Sequence, residues 1–373
     1  MRLRKVIHVI ILFLSAVLLP GCWDYKPIES MLYPSAIGVD YKDNRYEVYV
    51  QMLSFKNIAK SESAGGGGPD TPKLYVGKGS GKTVALAINN LYDTSQRRIF
   101  WSHVRSYLFT EEALQAGGSE YFDTLKRYKE LRYTPWIYVT KGSIEDIYKI
   151  QSFFMMSPNT NILNEPQENY RQKSFIHPLV AYEYQQSLNE PGKTTVIPSL
   201  IINKTAWQSE KKDDPKLKIN GGAIIQQKTV YGWMPESQLI GLRWMENSTE
   251  RTPLEVKSAI VSLEKPKPQI KIMSRGGEIS FNIEVKVTGN IVELLEQGST
   301  DQEIEEEVES QIAKEIRTTY TNGLKLGADI YSFKNELFKK RYKNWNEIPL
   351  IASTLNQVTV DVHINNNGQT VIN

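Results

Sequence analysis

Hydrophobic and polar residues alternate along several stretches of the chain with the period of a β-strand. The clearest of these is 278–288, where large apolar residues share one face and polar residues the other. A longer period governs 301–322, where isoleucine or valine recurs every four residues from Ile304 to Ile316, as on the buried face of an amphipathic helix. The pattern therefore predicts a chain that mixes strands and helices.

The same two periods predict the remaining elements. Strands are predicted at 36–41, 46–53, 74–76, 99–109, 136–139, 194–203, 217–226, 229–234, 256–263, 269–273 and 358–365. Further helices are predicted at 83–92, 119–131, 144–154 and 177–188. Strands that alternate with helices up to about residue 157 indicate an α/β or α+β unit. The polar, proline-interrupted stretch 157–173 is predicted to be a domain boundary. A new series of predicted strands begins near residue 250.

The first residues have the order of a bacterial export signal. Basic residues at positions 2, 4 and 5 precede the apolar stretch 6–19, which is too short to cross a bilayer as a helix but suits a signal peptide. The stretch ends in Leu19, Pro20, Gly21 and Cys22, which resembles the lipobox of bacterial lipoproteins. That resemblance implies cleavage before Cys22, a diacylglycerol on its thiol and often an acyl group on the new N-terminus. We therefore expect a lipid anchor at Cys22.

Cleavage changes what the charge implies. The 373-residue chain has 45 Lys+Arg and 42 Asp+Glu, a net charge of +3, and removal of 1–21 deletes three basic residues and no acidic ones. The mature chain is then neutral overall, so a nucleic-acid partner has no electrostatic support. Its single cysteine allows no intramolecular disulfide and no cysteine zinc cluster.

The stretch from Gly77 to Thr83 is the motif closest to a nucleotide site. A phosphate-binding loop needs a glycine five positions before the Gly81-Lys82 pair, and that position is Val76. We interpret the stretch as a glycine-rich turn in which Thr83 caps the following helix, and we expect neither a nucleotide nor another cofactor.

The remaining polar residues form no recognisable catalytic motif. His103, His177 and His363 have no partner at metal-ligand spacing, and neither a G-x-S-x-G nor an H-E-x-x-H pattern occurs in the sequence. The acidic run 303–309 is interpreted as the solvent face of the long helix. We therefore predict no catalytic residue and no metal site.

Short motifs along most of the chain resemble the Ger(x)C lipoproteins, the C subunits of spore germinant receptors in Bacillus and related spore formers. The N-terminal motifs are Gly21-Cys22-Trp23-Asp24, Ile28-Glu29, Ala36-Ile37-Gly38-Val39-Asp40, Gly81-Lys82-Thr83 and Trp101-Ser102-His103. The later ones are Gly222-Ala223-Ile224, Tyr231-Gly232-Trp233, Leu242-Arg243-Trp244, Gly289-Asn290-Ile291-Val292-Glu293, Gly327-Ala328-Asp329-Ile330-Tyr331 and Trp345. The Gly65 to Gly68 insertion departs from the family, and we interpret it as a loop difference.

The resemblance implies an α+β protein of three domains, each a mainly antiparallel or mixed β-sheet flanked by α-helices. With the signal peptide at 1–21, the expected domains are 22–157, 158–247 and 248–373. It also implies a lipoprotein on the outer face of the spore's inner membrane, assembled with an A subunit and a transporter-like B subunit that together sense nutrients and trigger germination.

The surface that docks on these partners is expected to carry exposed aromatic and basic residues. The candidates are Trp233, Lys339, Lys340 and Trp345. Two other classes of function stay open at this point. One is a lipoprotein that captures a small nutrient in a cleft between domains, and the other is an envelope hydrolase.

Overall fold

The computed structural model describes residues 30–53 and 74–365, together with positions 4, 6 and 8. The predicted lipobox, Leu19 to Cys22, and the glycine insertion at 65–68 lie outside the described residues. The described chain forms two large β-sheets with helices packed on them, which confirms the predicted multi-domain α+β class.

The first sheet has nine strands. These are β1 (Met31–Lys42), β2 (Arg45–Leu53), β3 (Tyr75–Gly81), β4 (Arg98–Ile99), β5 (Ser106–Thr110), β6 (Trp136–Thr140), β7 (Thr194–Asn203), β10 (Lys216–Gln226) and β11 (Thr229–Pro235). Between β7 and β10 the chain makes a small ribbon of β8 (Gln208–Ser209) and β9 (Lys212–Asp213). The order is β11-β10-β7-β6-β5-β1-β2-β3, with β4 beside the start of β1. Strands β1, β5, β6 and β7 run parallel, and the outer strands pair antiparallel.

Helices cover both faces of this sheet. They are α1 (Val84–Tyr92), α2 (Glu111–Lys126), α3 (Ile144–Tyr148), α4 (Gln167–Gln172) and α5 (Ala181–Asn189). Ile37 and Val39 of β1 point into the core shared with α1, α2 and α5, whereas Ala36 points into the core shared with α3. Successive side chains of β1 therefore pack into two separate cores, one on each face of the sheet, which explains why β1 is buried almost throughout.

The second sheet has the order β12-β13-β14-β15 and is covered by one long helix. Its strands are β12 (Thr252–Glu255), β13 (Ala259–Arg275), β14 (Glu278–Leu294) and β15 (Leu355–Ile364), and the helices around it are α6 (Glu236–Leu239), α7 (Asp301–Lys325) and α8 (Phe333–Lys339). The four-residue repeat from Ile304 to Ile316 on α7 is fully buried in the same core as the apolar face of β14, as predicted.

The nine-stranded sheet crosses the predicted domain boundary. The segment 157–173 contributes buried Ser157 and Asn164, and Asn164 accepts a hydrogen bond from the Ser106 hydroxyl of β5 at 3.1 Å. Strands β7, β10 and β11 continue the same sheet beyond it. The division at 157 and 247 stays a prediction, while the hydrogen bonding of the described chain groups the strands into one sheet before residue 236 and one after 251.

Most strong periodic patterns are confirmed. Helix α1 buries the apolar face that its sequence predicts, and Thr83 caps it, since the Thr83 hydroxyl accepts a hydrogen bond from the Leu86 N–H at 3.2 Å. Strand β7 has the predicted bounds, and β10 and β11 form the predicted hairpin.

Other predicted elements were wrong. The strand predicted at 99–109 is broken by a short 3-10 turn at Trp101–His103. The helix predicted at 119–131 is confirmed only in part: α2 begins at Glu111, where the Thr110 hydroxyl accepts from the Ala113 N–H, is kinked at Gly117 and ends at Lys126. The strands predicted at 256–263 and 269–273 are one strand, β13, with a bulge between Glu264 and Lys267.

The glycine-rich stretch is a strand and not the predicted turn. Residues 75–81 form β3, paired with β2, so their N–H groups do not converge on one point as they do in a phosphate loop. Helix α1 crosses this strand so closely that a Cβ at Gly79 would lie 2.1 Å from the Ala87 carbonyl oxygen. The glycines therefore allow helix and strand to approach each other.

A buried ion pair joins the end of the first sheet to the second. After β11 and α6, a 3-10 turn at Ile240–Trp244 places Arg243 against Glu315 of α7, with Nη2 2.9 Å from Oε2 and both side chains no more than 7% exposed. The Trp244 indole N–H donates to the same carboxylate at 2.7 Å. The Gly241 N–H donates to the Thr319 hydroxyl at 3.0 Å, one turn further along α7. This cluster fixes the linking turn on the long helix.

Replacing Glu315 by Ala should lower the free energy of unfolding by about 3–5 kcal/mol, because the Arg243 guanidinium would stay buried without its partner. Glu315→Gln keeps the shape and one acceptor oxygen, so it should cost less than Glu315→Ala. The measurement is urea denaturation of the mature chain followed by circular dichroism. Glu306→Ala on the exposed face of α7 is the control and should change stability by less than about 0.5 kcal/mol. A Glu315→Ala loss no larger than that of the control would contradict the assignment.

Gly79→Ala should destabilise the protein by about 1–3 kcal/mol, because its Cβ would press on the backbone of α1. Gly142→Ala is the matched control, since its Cβ would meet only the Thr140 hydroxyl at 3.5 Å.

Lys82→Ala should leave the melting temperature unchanged, and the chain should show no ATP binding by calorimetry. ATP binding that Lys82→Ala abolishes would restore the phosphate-loop interpretation.

Candidate docking surfaces

Lys339 and Lys340 close helix α8, and they differ in their surroundings. The Lys339 ammonium lies 3.3 Å from Glu190 Oε1, beyond the end of α5, and 3.7 Å from Glu336 Oε1. Burial acts to raise the pKa of Glu190, but hydrogen bonds from Asn335 and Lys339 outweigh it and hold this pKa below its usual value. Lys340 is exposed at the helix end. Lys339 thus ties α8 to the first sheet, whereas Lys340 faces solvent.

The two tryptophan candidates pack against different elements. Trp345 is half-buried on the core of the second sheet, with its ring centroid 5.4 Å from that of Phe338 in an edge-to-face contact. Trp233 lies on the edge strand β11 of the first sheet, where the Lys141 ammonium stands 4.4 Å from its ring centroid. Its buried indole N–H has no hydrogen-bond partner.

A cavity of about 380 Å³ separates α5 and β7 from α8 and the turn at 240–244. Its charged lining residues include Glu183, Lys193, Glu246 and Glu336. The hydroxyl of Thr194, which also lines it, is buried without a hydrogen-bond partner. If the protein captured a small nutrient, this cavity is where the nutrient would bind.

Basic residues collect where the parallel strands of the first sheet begin. The register pairs Ala36 of β1 with Ser106 of β5, and Ser106 with Trp136 of β6, so the loops before these strands meet at one end of the sheet. We call this the basic end, and its exposed cationic side chains are Arg97, Arg98, Arg105, Arg127, Lys129 and Arg132. This cluster is not visible in the sequence, because Arg97 and Arg127 are far apart in the chain and only the topology brings them together.

A pocket of about 670 Å³ lies within the basic end. The Trp101 indole N–H donates to the Tyr92 hydroxyl at 3.0 Å, and the Tyr128 ring stands 6.2 Å from Trp101, so aromatic rings line the pocket beside the cations. Burial lowers the pKa of the neighbouring His103, and the charges of Arg132 and Arg105 lower it further.

The acidic run on α7 has structural roles that the solvent-face interpretation missed. The carboxylates of Glu309 and Glu305 accept hydrogen bonds from the Val362 and Ile364 N–H groups of β15, at 3.1 and 2.8 Å. Glu307 accepts from the N–H and hydroxyl of Ser258, which holds its pKa below the usual value. The four-residue spacing that places Glu305 and Glu309 on one stripe was visible, but the strand beside it was not.

Within the described residues, no group of three or more His, Cys, Asp and Glu side chains converges as a metal site would require. Across the same part of the chain, no helix has the length and apolar character needed to cross a membrane.

Two family models match consecutive parts of the chain. One, described as "Spore germination protein N-terminal domain", matches residues 24–202, and the other, described as "Spore germination B3/ GerAC like, C-terminal", matches residues 220–368. Two similar proteins are from Bacillus subtilis (strain 168). "Putative spore germination protein YfkR" is 25% identical over 370 residues, covering 93% of each chain. "Spore germination protein KC" is 23% identical over 368 residues, covering 92% of this chain and 90% of that protein.

A solved structure shows the same fold. The crystal structure of the GerBC protein aligns with 88% of this chain and 97% of its own, with a TM-score of 0.53 and 16% sequence identity. At that identity the likeness concerns the fold alone. Because the two family models together account for most of the sequence, the chain belongs to the Ger(x)C family of spore germination proteins.

Proposed function

We propose that this protein is the lipid-anchored, non-catalytic C subunit of a spore nutrient germinant receptor. It sits on the outer face of the spore's inner membrane and assembles with A and B subunits to trigger germination. The observation that carries the proposal is that both halves of one chain match spore germination models, in the order expected of the family. Similar proteins named "Spore germination protein A3" and "Spore germination protein B3" support a receptor context.

The anchor is the part of the proposal that rests on sequence. Cys22 is the single cysteine, follows a signal-like stretch and lies nine residues before β1 begins at Met31. Two or three acyl chains on one residue hold a protein firmly on a bilayer, whereas a single chain binds it marginally.

Docking on partner subunits is assigned to the surface around Lys340 and Trp345. Trp345 presents a half-buried ring beside Phe338, and aromatic side chains of this kind often anchor interfaces. Lys340 stands at the rim of this surface, where charges steer association.

Cys22→Ala should leave the fold intact, because the described cores are built from residue 32 onward. The variant should be lost from spore membranes, and germination in response to nutrients should fail. Fractionation of spore lysates with immunoblotting measures the first effect, and loss of optical density on nutrient addition measures the second. A variant that stays on membranes washed at high salt, at normal levels and with a full response, would overturn the anchor.

Lys340→Glu should reduce recovery of A and B subunits with the affinity-tagged protein by about fivefold, the effect of roughly 1 kcal/mol, without changing its melting temperature. Lys340 is a cleaner probe than Lys339, whose reversal would also repel Glu190 and Glu336. Lys212→Glu on the small β8–β9 ribbon is the control and should leave recovery unchanged. Normal recovery with Lys340→Glu would remove this surface from the interface.

Stabilisation of the purified chain by a small nutrient would instead favour the solute-capturing function.

A further inference from the structure

The basic end is the end of the sheet that the anchor segment reaches. Met31 and Leu32, the first residues of β1, pair with Arg98 and Ile99 of β4. Met31 lies nine positions after Cys22 in the sequence, and a fully extended chain spans about 3.3–3.6 Å per residue. If Cys22 is acylated, as the proposed function requires, Met31 lies within about 30 Å of the bilayer surface.

Positive charge is concentrated at the basic end. The mature chain is neutral overall, yet six exposed cations meet here. Two of the six pair with carboxylates: Glu130 accepts from Arg98 at 2.5 Å and from the Trp101 N–H at 3.2 Å, and Glu165 lies 3.4 Å from Arg105, so the cations outnumber the carboxylates paired with them.

The opposite end of the sheet has no such excess. There, at the turn between β1 and β2 and at the ends of β5 and β6, both signs are interspersed: Asp40, Asp43, Glu111 and Glu112 face Lys42, Arg45, Lys82 and Lys141. The two ends of one sheet therefore differ in potential, and the positive one is nearer the anchor segment.

The chemistry of the pocket suits a phosphate-bearing headgroup. Arg97, Arg98 and Arg127 line it, and a guanidinium can hold two phosphate oxygens at once. Tyr92 and Tyr128 line the pocket, and two exposed tyrosines lie at the same end of the sheet: Tyr133 before β6, 55% exposed, and Tyr75 at the start of β3, 60% exposed. Tyrosine is the residue type that occupies the headgroup level of membranes, with an apolar ring and a polar tip.

From these observations we propose that the basic end binds anionic lipid headgroups of the bilayer that carries the Cys22 anchor, so that the first sheet stands with the starts of its parallel strands toward the membrane. The proposal rests on the anchor of the proposed function for the direction of approach. Its chemical basis, a cationic and aromatic surface, can be tested without any acyl group.

The test uses the mature chain, residues 22–373, with Cys22→Ala so that no lipid is attached. Binding is measured by co-sedimentation with vesicles of phosphatidylcholine and phosphatidylglycerol in a 70:30 ratio, and with vesicles of phosphatidylcholine alone. The chain should bind the anionic vesicles, lose binding as salt is raised and show little affinity for the neutral ones. Equal binding to both vesicles would overturn the proposal.

Arg127→Glu with Lys129→Glu should weaken binding to anionic vesicles by about thirtyfold, since each basic side chain near such a surface contributes roughly fivefold. Lys42→Glu with Lys82→Glu makes the same change in net charge at the opposite end and should weaken binding by less than about threefold. Equal losses in the two double variants would show attraction by overall charge and overturn the assignment to the basic end.

Two further measurements keep the result interpretable. Melting temperatures of both double variants should match that of the parent, and the neutral pair Arg127→Gln with Lys129→Gln should also lose binding if the acidic pair misfolds. Inorganic phosphate at the concentration of vesicle phosphate should not displace the chain; displacement would mean a site for free phosphate and would overturn headgroup binding. Retention of Cys22→Ala on spore membranes washed at high salt would contradict the anchor, because binding through the basic end is lost as salt is raised, whereas failure of the vesicle test contradicts only the basic end.

Discussion

The carboxylate of Glu315 holds the two sheets in their relation to each other. It is buried, and it accepts hydrogen bonds from the Arg243 guanidinium and the Trp244 indole, both on the turn that leaves the first sheet. A buried ion pair adds little net stability compared with apolar packing, since both charges lose their water. It is selective, however, because any other register of the turn on α7 would leave a buried charge without a partner. The shared core around it, to which Ile224 and Met234 of the first sheet also contribute, depends on that register.

How much could be predicted from sequence depended on whether the deciding partner was local. Helix α1 was predictable because its apolar face and its Thr83 cap lie within ten residues of each other, and α7 because its four-residue repeat is long. Only the start of β3, at Tyr75 and Val76, was predicted, because the run of glycines that follows has the composition of a turn. What makes the run a strand is its pairing with β2 and the passage of α1 over Gly79, and neither is visible in the local sequence.

The candidate surfaces were also hard to predict, because the residues that decide their environment lie far away in the chain. Lys339 and Lys340 look equivalent in sequence, but Glu190, far away in the chain, makes Lys339 part of a contact between α8 and the first sheet. The basic end could not be predicted at all, because its cations lie in separate segments before β5 and β6, which only the pairing of these parallel strands brings together. Parallel topology gathers strand starts at one edge, so residues of unrelated segments acquire a common surface there. The family resemblance identified the protein's class but did not indicate any of these surface residues.

The hydrogen bonds from β15 to Glu305 and Glu309 bear on how other chains can engage this protein. Strand β15 is an edge of the second sheet, and an edge strand with free N–H groups is a template for strand addition by a partner or by a second copy. Here the N–H groups of Val362 and Ile364 already donate to carboxylates on α7, and charge-assisted bonds of this kind are among the stronger ones. An incoming strand would have to displace both and leave two acidic side chains beside its own backbone. Association along β15 is thereby disfavoured, which protects the protein from edge-to-edge aggregation and leaves side-chain surfaces as the means of recognition.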